Sequence, residues 1–313
     1  FTTGYGNTAV GNNSLDAVTE GFYNIGIGPS AGGSITTGDH NIAMGFATFD
    51  AATTTGYTIA MGYMALSAYT HAESSYNVAI GGHQVAYLKT SGRFNTYIGG
   101  YKNAAADLTG EKNVWIGSYT NQYGTDTDST TLVGYEAGRY STGSFNTFLG
   151  SEAGKGGTTS APYSSGQYNT ALGYQSLTGF TTGQYNTSIG YQSMTAAVTG
   201  DGVNVAVGYQ SLQSATSGYN NVALGGNALG AITTGFNNIA IGRQAGDAMV
   251  DVDNTVLIGR SAGGAINSAD ADGTVAIGYQ AGAAITSGQY NTAIGYQAGL
   301  AMTDNDGNTI LGY

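Results

Sequence analysis

The sequence predicts an all-β protein, a parallel β-solenoid of about 18 coils with roughly 17 residues in each coil. One short motif recurs along the chain, β-branched residues stand at a fixed place within it, and a glycine follows them. This glycine, the marker glycine, occurs 18 times from Gly11 to Gly312, at spacings of 16 to 23 residues. A repeat this short has no room for a pair of helices, so the copies are expected to stack as coils.

A short strand is predicted directly before each marker glycine. The residue three before it is always Thr, Val or Ile (the β-branched column), and the residue one before it is always aliphatic or Met (the aliphatic column). The residue between them is usually Ala (the Ala column). Residues two apart in a strand share a face. Because the two flanking columns are so constant, we expect them to fill the inside of the coil, with the Ala column outside. The marker glycine then allows a turn, since it adopts a positive φ without steric cost.

A second, weaker strand is predicted later in the repeat. An apolar residue stands seven positions after the marker glycine and is followed by Thr or Ser and a turn glycine, most clearly at 35–38, 232–235 and 285–288. Stacking would pair each strand with its own copy in the next coil, as parallel ladders.

A column of asparagines precedes the strand. Asn stands four residues before the marker glycine in 14 of the 18 repeats, and Thr takes its place in the other four. Stacked side-chain amides hydrogen-bond from one layer to the next in cross-β structures. The sequence therefore predicts a structural Asn ladder made of Asn7, Asn24, Asn41, Asn77, Asn95, Asn113, Asn146, Asn169, Asn186, Asn204, Asn221, Asn238, Asn291 and Asn308.

Four successive repeats enlarge the Ala column. Since that column is predicted to face outward, the large side chains are expected to form one exposed apolar stripe, used either between chains or as a receptor platform. The longest repeat follows directly, with an insertion loop at about 154–167, and insertions in repeat proteins often lie on the binding face. The stripe consists of Tyr97, Trp115, Leu132 and Phe148.

Paired aspartates precede four of the marker glycines, and two of these turns fall in successive coils, at Asp251 and Asp253 and at Asp270 and Asp272. Carboxylate oxygens are the ligands that Ca²⁺ prefers. A weak calcium site is one interpretation of these four residues. The other is a simple turn in which each Asp side chain bonds to its own backbone. No other cofactor is expected.

Aromatic and basic residues also follow a pattern. Eight repeats carry Tyr directly after the marker glycine, which predicts a Tyr ladder along one edge that stabilises a turn or a contact between chains, or offers a track for sugars. Six of the eleven His, Lys and Arg residues lie between positions 63 and 117. They are interpreted as solvated turn residues, with a weak anion-binding patch as the alternative; they are His71, His83, Lys89, Arg93, Lys102 and Lys112.

Composition excludes several classes of protein. The net charge is −11, with no basic stripe of the kind that nucleic-acid binding needs. No apolar run approaches the roughly 20 residues of a membrane span, so no membrane insertion is expected. There is no Cys, and no change of composition marks a linker. We expect one continuous repeat domain over 1–313, and, because the chain starts inside a repeat, a segment of a longer protein.

The repeat resembles known fibre proteins. The unit Asn-Thr-Ala-Ile-Gly-Tyr-Gln-Ala-Gly, as at 291–299, resembles repeats of phage tail fibres and related bacterial surface proteins. It is also similar to the head repeats of trimeric autotransporter adhesins, which use a Ser-Val-Ala-Ile-Gly unit. The resemblance covers essentially the full length. It implies a left-handed, homotrimeric β-roll rod without catalytic residues.

The leading functional hypothesis is a structural and adhesive segment of an extracellular, cell-surface or virion fibre, a shaft or head that presents a receptor-binding surface. Expected partners are further copies of the chain and a glycan or protein receptor on a host surface. The alternatives are a glycan-active solenoid enzyme, which would need inward-facing acids in a groove, and an ice-binding solenoid built on the Thr pairs. An enzyme is not expected, because the acids stand in turns.

Overall fold

The computed structural model describes residues 3–200 and 202–313, and over these it is a parallel β-solenoid of about 18 coils with about 17 residues in each. The predicted fold class is thereby confirmed. Helix is almost absent from the described ranges, where a single 3₁₀ turn spans Ala269–Ala271. Nowhere in them is there a helix with the length and apolar character that crossing a membrane requires.

The chain divides into two compact units, residues 1–151 and 152–313. The boundary falls just before the insertion at 154–167. Unit 1 contains the strands β1 (Thr8–Val10), β2 (Ile25–Ile27), β3 (Ile42–Met44), β4 (Ile59–Tyr63), β5 (Val78–His83), β6 (Thr96–Tyr101), β7 (Val114–Ile116), β8 (Thr131–Val133) and β9 (Thr147–Leu149). Unit 2 contains β10 (Thr170–Leu172), β11 (Thr187–Ile189), β12 (Val205–Val207), β13 (Val222–Leu224), β14 (Ile239–Ile241), β15 (Val256–Ile258), β16 (Val275–Ile277), β17 (Thr292–Ile294) and β18 (Thr309–Leu311).

Within each unit, every strand pairs in parallel with the same strand of the next coil. Equivalent columns face one another, so Val222 pairs with Ile239 and Ala223 with Ala240. The register shifts between β4 and β5, where Tyr63 comes to lie opposite His83. The repeat length therefore sets the register, and an irregular repeat is absorbed by a local bulge.

The predicted second strand is not formed, since each coil of the described chain contains one strand. Ile35, Ile232 and Ile285 do point inward and are buried, as an apolar residue there should. The backbone that follows them forms turns, although it still bonds to the next coil, for example from Thr36 N to Thr53 O at 2.8 Å. The turns on either side leave too short an extended run for a second ladder.

The inward and outward faces of the strand are the reverse of those predicted. The residue of the Ala column is buried in every strand from β2 to β17, while the β-branched and aliphatic residues on either side of it are half-buried or exposed. The reason is the width of the coil. In the coil that ends at Gly242, Leu229 and Ile232 fill the interior, and the strand contributes only the small Ala240. Constant apolar columns therefore line the outside of this solenoid.

The marker glycine is required for two reasons. Gly242 has a φ of 133°, and a Cβ atom there would lie 2.6 Å from the carbonyl of Gly259 in the next coil.

Non-glycine residues two and four positions after a marker glycine also adopt a left-handed backbone conformation, as at Gln210 and Leu212. Such conformations cost roughly 1–2 kcal/mol each, so they persist because the stack fixes them, here through Leu212 N to Ala228 O at 3.0 Å.

Candidate functional site

The main exposed apolar surface of unit 2 is the outer face, which we define as the β-branched and aliphatic columns of β10 to β18. Its aliphatic side chains are well exposed for their type, at 43% for Leu224, 36% for Ile241 and 38% for Ile294. Nine strands at a spacing of about 4.8 Å make this surface about 40 Å long. Contiguous apolar surface on this scale usually marks an interaction site. Strands β1 to β9 carry an equivalent face in unit 1.

Aromatic ladders border the outer face, and the predicted Tyr ladder is formed there in two separate runs, Tyr174 to Tyr209 and Tyr279 to Tyr313. In unit 2, the ring of Tyr191 stacks between Tyr174 and Tyr209, with both ring centroids 5.5 Å away. A second ladder stands before the strand, where Tyr168 stacks on Tyr185 at 5.0 Å. Stacked aromatic rings add binding surface at low entropic cost, because only two side-chain torsions are fixed.

Aromatic residues border the equivalent face of unit 1 as well. The ring of Tyr76 lies between Tyr57 and Phe94, at centroid distances of 5.2 and 5.5 Å. These three side chains are between 43% and 50% exposed. Both units therefore present aliphatic columns flanked by aromatic ones.

The four-residue stripe of Tyr97, Trp115, Leu132 and Phe148 is not an exposed surface, and the prediction that it faces outward is wrong. All four side chains lie inside the coil and are at most 1% exposed. The rings of Tyr97 and Trp115 pack at 4.9 Å, and Trp115 Nε1 donates a hydrogen bond to Thr130 Oγ1 at 2.6 Å. These residues form a local aromatic core, neither a receptor platform nor a contact between chains.

This aromatic core shows a compensation of volume that the sequence already contained. Where the Ala column is enlarged, the facing interior positions become small, at Ala104, Asn121 and Gly138. A Cβ atom on Gly138 would lie 2.9 Å from Leu132 Cδ1. In some other coils a large facing residue accompanies a small column residue, as Leu177 accompanies Ala171, whereas Gly282 and Gly299 face the small Ala276 and Ala293. The contact between the two positions shows that they share one interior, and the small residues opposite the enlarged column are a signal that was missed.

The asparagine side chains lie inside the coil and join successive coils. Asn221 Oδ1 accepts hydrogen bonds from the backbone N and from Nδ2 of Asn238, both at 3.1 Å. Asn221 Nδ2 donates to Gly235 O at 2.8 Å. Where Thr replaces Asn, the ladder ends, because the Thr hydroxyl donates a hydrogen bond to the Asn of the preceding coil, as Thr255 Oγ1 does to Asn238 Oδ1 at 2.7 Å. Each amide therefore satisfies buried backbone groups that would otherwise have no partner.

Two of the paired aspartates, Asp253 and Asp272, accept hydrogen bonds from the backbone of the preceding coil. Asp272 Oδ1 accepts a hydrogen bond from Asp253 N, and Asp253 Oδ1 accepts one from Phe236 N, both at 2.8 Å. Burial raises the pKa of the Asp253 carboxyl, the Phe236 N–H lowers it, and the charges of Asp272 and Asp251 raise it. Asp270 accepts from Ser268 within its own turn. Across residues 3–200 and 202–313, no three acidic, His or Cys side chains gather as a metal site would require. These contacts support the turn interpretation over the calcium site.

The insertion loop at 154–167 rejoins the stack at both ends. Gly154 N donates to Ser176 O at 2.9 Å and Ser165 N donates to Thr181 O at 2.8 Å. Its middle, 159–162, is exposed. The loop therefore extends one coil of unit 2 without breaking its ladder.

A shallow groove of about 220 Å³ lies on unit 1, lined by Tyr87, Leu88, Lys102, Gln122 and Tyr123, among others. Aromatic rings beside a cation and an amide provide stacking together with hydrogen-bond donors. Among the six basic residues of this region, Lys102 is thus available to a ligand.

One of the six basic residues is not solvated as predicted. The Lys89 side chain is fully buried, and its Nζ lies 2.8 Å from Oδ2 of the equally buried Asp107. Burial lowers the pKa of the Lys89 ammonium, and the Asp107 carboxylate opposes that shift. Both residues stand eight positions after their marker glycines, Gly81 and Gly99, whereas Ile35 and Ile232 stand seven after theirs, because these two repeats carry one extra residue. Once that extra residue is allowed for, their position in the repeat could have identified them as buried.

Comparison with known proteins gives no family assignment. No protein-family model matches the chain. No match to a curated protein is found either.

Proposed function

We propose that this protein is a structural and adhesive segment of an extracellular, cell-surface or virion fibre, assembled through its outer face. The observation that carries the proposal is the exposed aliphatic surface between aromatic ladders. A single chain has no use for constant Ile, Leu and Val side chains turned towards water, because leaving each exposed forgoes roughly 1.5–3 kcal/mol of burial. Their regular place in the repeat favours a contact that repeats along the stack.

The proposed partner is a second and a third copy of the same chain, in a homotrimeric left-handed rod. A narrow coil with a small interior is stabilised by lateral association, particularly without disulfides. The number three and the handedness rest on the resemblance of the repeat to trimeric fibre proteins. Identical copies would bring equivalent outer faces together around one axis.

The adhesive part of the proposal places a host glycan or protein receptor on surface outside the trimer contact. The groove beside Tyr87, Lys102 and Tyr123 suits a sugar, since planar rings stack on sugar faces and Lys102 supplies a cation. We propose no catalytic role. The alternative of ice binding is disfavoured because the Thr hydroxyls after the marker glycine are used internally, as in Thr36 Oγ1 to Thr53 O at 3.1 Å.

Solution mass tests the assembly. The parent protein is expected to sediment with the mass of three chains. Ile241→Lys places a charge in the middle of the outer face of unit 2, where burial in a contact would be costly. We expect this variant to dissociate into single chains at concentrations where the parent stays assembled.

Thr234→Lys is the matched control, because Thr234 is exposed and lies outside the strand columns. It should assemble like the parent. The proposal of self-association fails if the parent is a single chain across the accessible concentration range, or if both lysine variants assemble equally well.

A further inference from the structure

In the interior of unit 1, Lys89, Asp107 and Tyr97 form a fully buried ionisable network, each 0% exposed. Lys89 and Asp107 occupy the same interior position in two successive coils, one above the other. Charged residues are almost never fully buried without a specific arrangement around them. Here the arrangement is complete, and it brings an amine and a carboxyl group into contact in a dry, aromatic environment.

Every polar atom of the pair has a defined partner. Lys89 Nζ lies 2.8 Å from Asp107 Oδ2 and donates to Gly110 O at 2.7 Å. The Tyr97 hydroxyl donates to Asp107 Oδ2 at 2.7 Å. Asp107 Oδ1 accepts from Gly110 N at 3.0 Å. The amine is thereby held against the carboxyl group, with Cγ one covalent bond beyond the oxygen that it contacts.

Burial favours the neutral form of the Lys89 amine. Two charges removed from water cost several kcal/mol each unless their attraction restores the difference. Burial lowers the pKa of the Lys89 ammonium and raises that of the Tyr97 phenol well above its ordinary value. Passing one proton from Nζ to Oδ2 leaves an amine beside a carboxylic acid, and the amine then has a free lone pair, as a nucleophile requires.

We propose that Lys89 and Asp107 condense spontaneously to an intramolecular isopeptide bond that links two successive coils of unit 1. Contact geometry between nucleophile and acceptor is worth several orders of magnitude in rate, because the reaction becomes unimolecular. The surrounding groups also match what the reaction needs at each atom.

The step balances without any further reactant. The lone pair of Nζ adds to Cγ and forms the C–N bond, while charge gathers on Oδ1, which the Gly110 N–H stabilises as an oxyanion donor. A second proton passes from Nζ to Oδ2, which already carries the first. The Cγ–Oδ2 bond then breaks and Oδ2 leaves as water, with the Tyr97 hydroxyl bonded to it during departure. The third hydrogen stays on the new amide and keeps Gly110 O as its acceptor.

The bond would hold the stack where its interior is least regular. This region contains the register shift between β4 and β5, and a cross-link between coils limits the freedom of the unfolded chain. The chain has no Cys, so no disulfide can do this.

Mass spectrometry of the purified, folded parent protein tests the proposal. Under denaturing conditions the intact mass should be lower than the sequence mass by one water molecule. Trypsin cannot cleave after a linked Lys89, so the peptide 103–112 should be recovered joined to a peptide that spans position 89 and ends at Arg93. Fragmentation of this branched peptide should locate the link at Lys89 and Asp107.

The proposal is overturned if the mass equals that of the sequence and peptide 103–112 is recovered entirely free. Lys89→Arg serves as the control, because its guanidinium cannot form the amide, and it should show neither the mass loss nor the branched peptide. Tyr97→Phe keeps the ring but removes the hydroxyl, and we expect it to link more slowly. If Tyr97→Phe forms the bond at the parent rate, the role given to the Tyr97 hydroxyl is wrong, although the Lys89–Asp107 bond itself is still supported.

Discussion

Replacing Asn221 by Ala is the most direct test of the Asn ladder. Asn221 is fully buried in unit 2, and its side chain serves both neighbouring coils. The substitution removes the acceptor of the Asn238 backbone N–H and the donor to Gly235 O, at 3.1 and 2.8 Å. Asn238 Nδ2 keeps a partner in Val252 O at 2.7 Å, so two buried backbone groups lose theirs.

The magnitude follows from those two groups. A buried donor or acceptor left without a partner costs about 1–3 kcal/mol, and part of this is recovered if water enters the space left by the amide. We therefore expect Asn221→Ala to lower the free energy of unfolding of unit 2 by about 2–4 kcal/mol. For a unit of this size each kcal/mol corresponds to about 2–4 °C in melting temperature.

Thermal unfolding followed by circular dichroism measures the effect. Asn267→Ala is the matched control, since it is the same substitution at an exposed position of unit 2 with ordinary backbone conformation. Its free energy of unfolding should lie within about 0.5 kcal/mol of that of the parent. If Asn221→Ala melts together with Asn267→Ala, the amides do not stabilise the stack and the reasoning is refuted.

Two further predictions concern the interior and the Asp turns. The chain has a single Trp, and because Trp115 is buried, its fluorescence emission should be blue-shifted and resistant to quenching by acrylamide. Trp115→Ala should destabilise unit 1 by about 3–5 kcal/mol. Fluorescence typical of solvated indole would contradict the place of Trp115 in the core. The raised pKa of Asp253 means that the folded protein binds this proton more tightly than the unfolded chain, so the destabilising effect of the charged carboxylate at pH 7 is relieved as the pH falls through the folded-state pKa towards the ordinary value of 3.8. Asp253→Asn keeps the acceptor for Phe236 N and should melt above the parent at pH 7, by a difference that shrinks on acidification; a rise in the melting temperature of the parent with added calcium would instead support the metal site.

The period of the sequence was sufficient to predict the solenoid, the position of each strand and the Asn column. A column recurs because its position in the coil recurs, so spacing alone places Asn221 above Asn204 and below Asn238. Parallel pairing in register follows directly, because nothing else puts identical residues side by side.

Inside and outside could not be assigned from hydrophobicity, because both faces of the strand are apolar. Ile241 faces outward and Ala240 faces inward, although the usual rule gives the larger side chain to the core. The side-chain volumes at facing positions distinguish the inner face of the strand from the outer one. Gly138 is small where Leu132 is large, which is required only if the two share an interior.

Lys89 was assigned to solvent because lysine rarely lies elsewhere. Once the extra residue of its repeat is allowed for, its place matches that of Ile35 and Ile232 and points to the interior, but residue type was given more weight than position. In a periodic protein position is the stronger guide, since the path of the backbone repeats even where the side chain changes.

The exchange of volume inside unit 1 also bears on how such a chain can evolve. Repeats that share one interior pattern can be duplicated or lost by recombination at equivalent positions, since the joined coils still fit. The coils around Trp115 and Phe148 cannot, because a crossover there could place a large column residue against a large facing residue such as Leu177. Overfilling the coil costs about 1–3 kcal/mol. The segment from Tyr97 to Phe148 is therefore expected to be inherited as one block, while coils of the regular kind vary in number between descendants of the same ancestor.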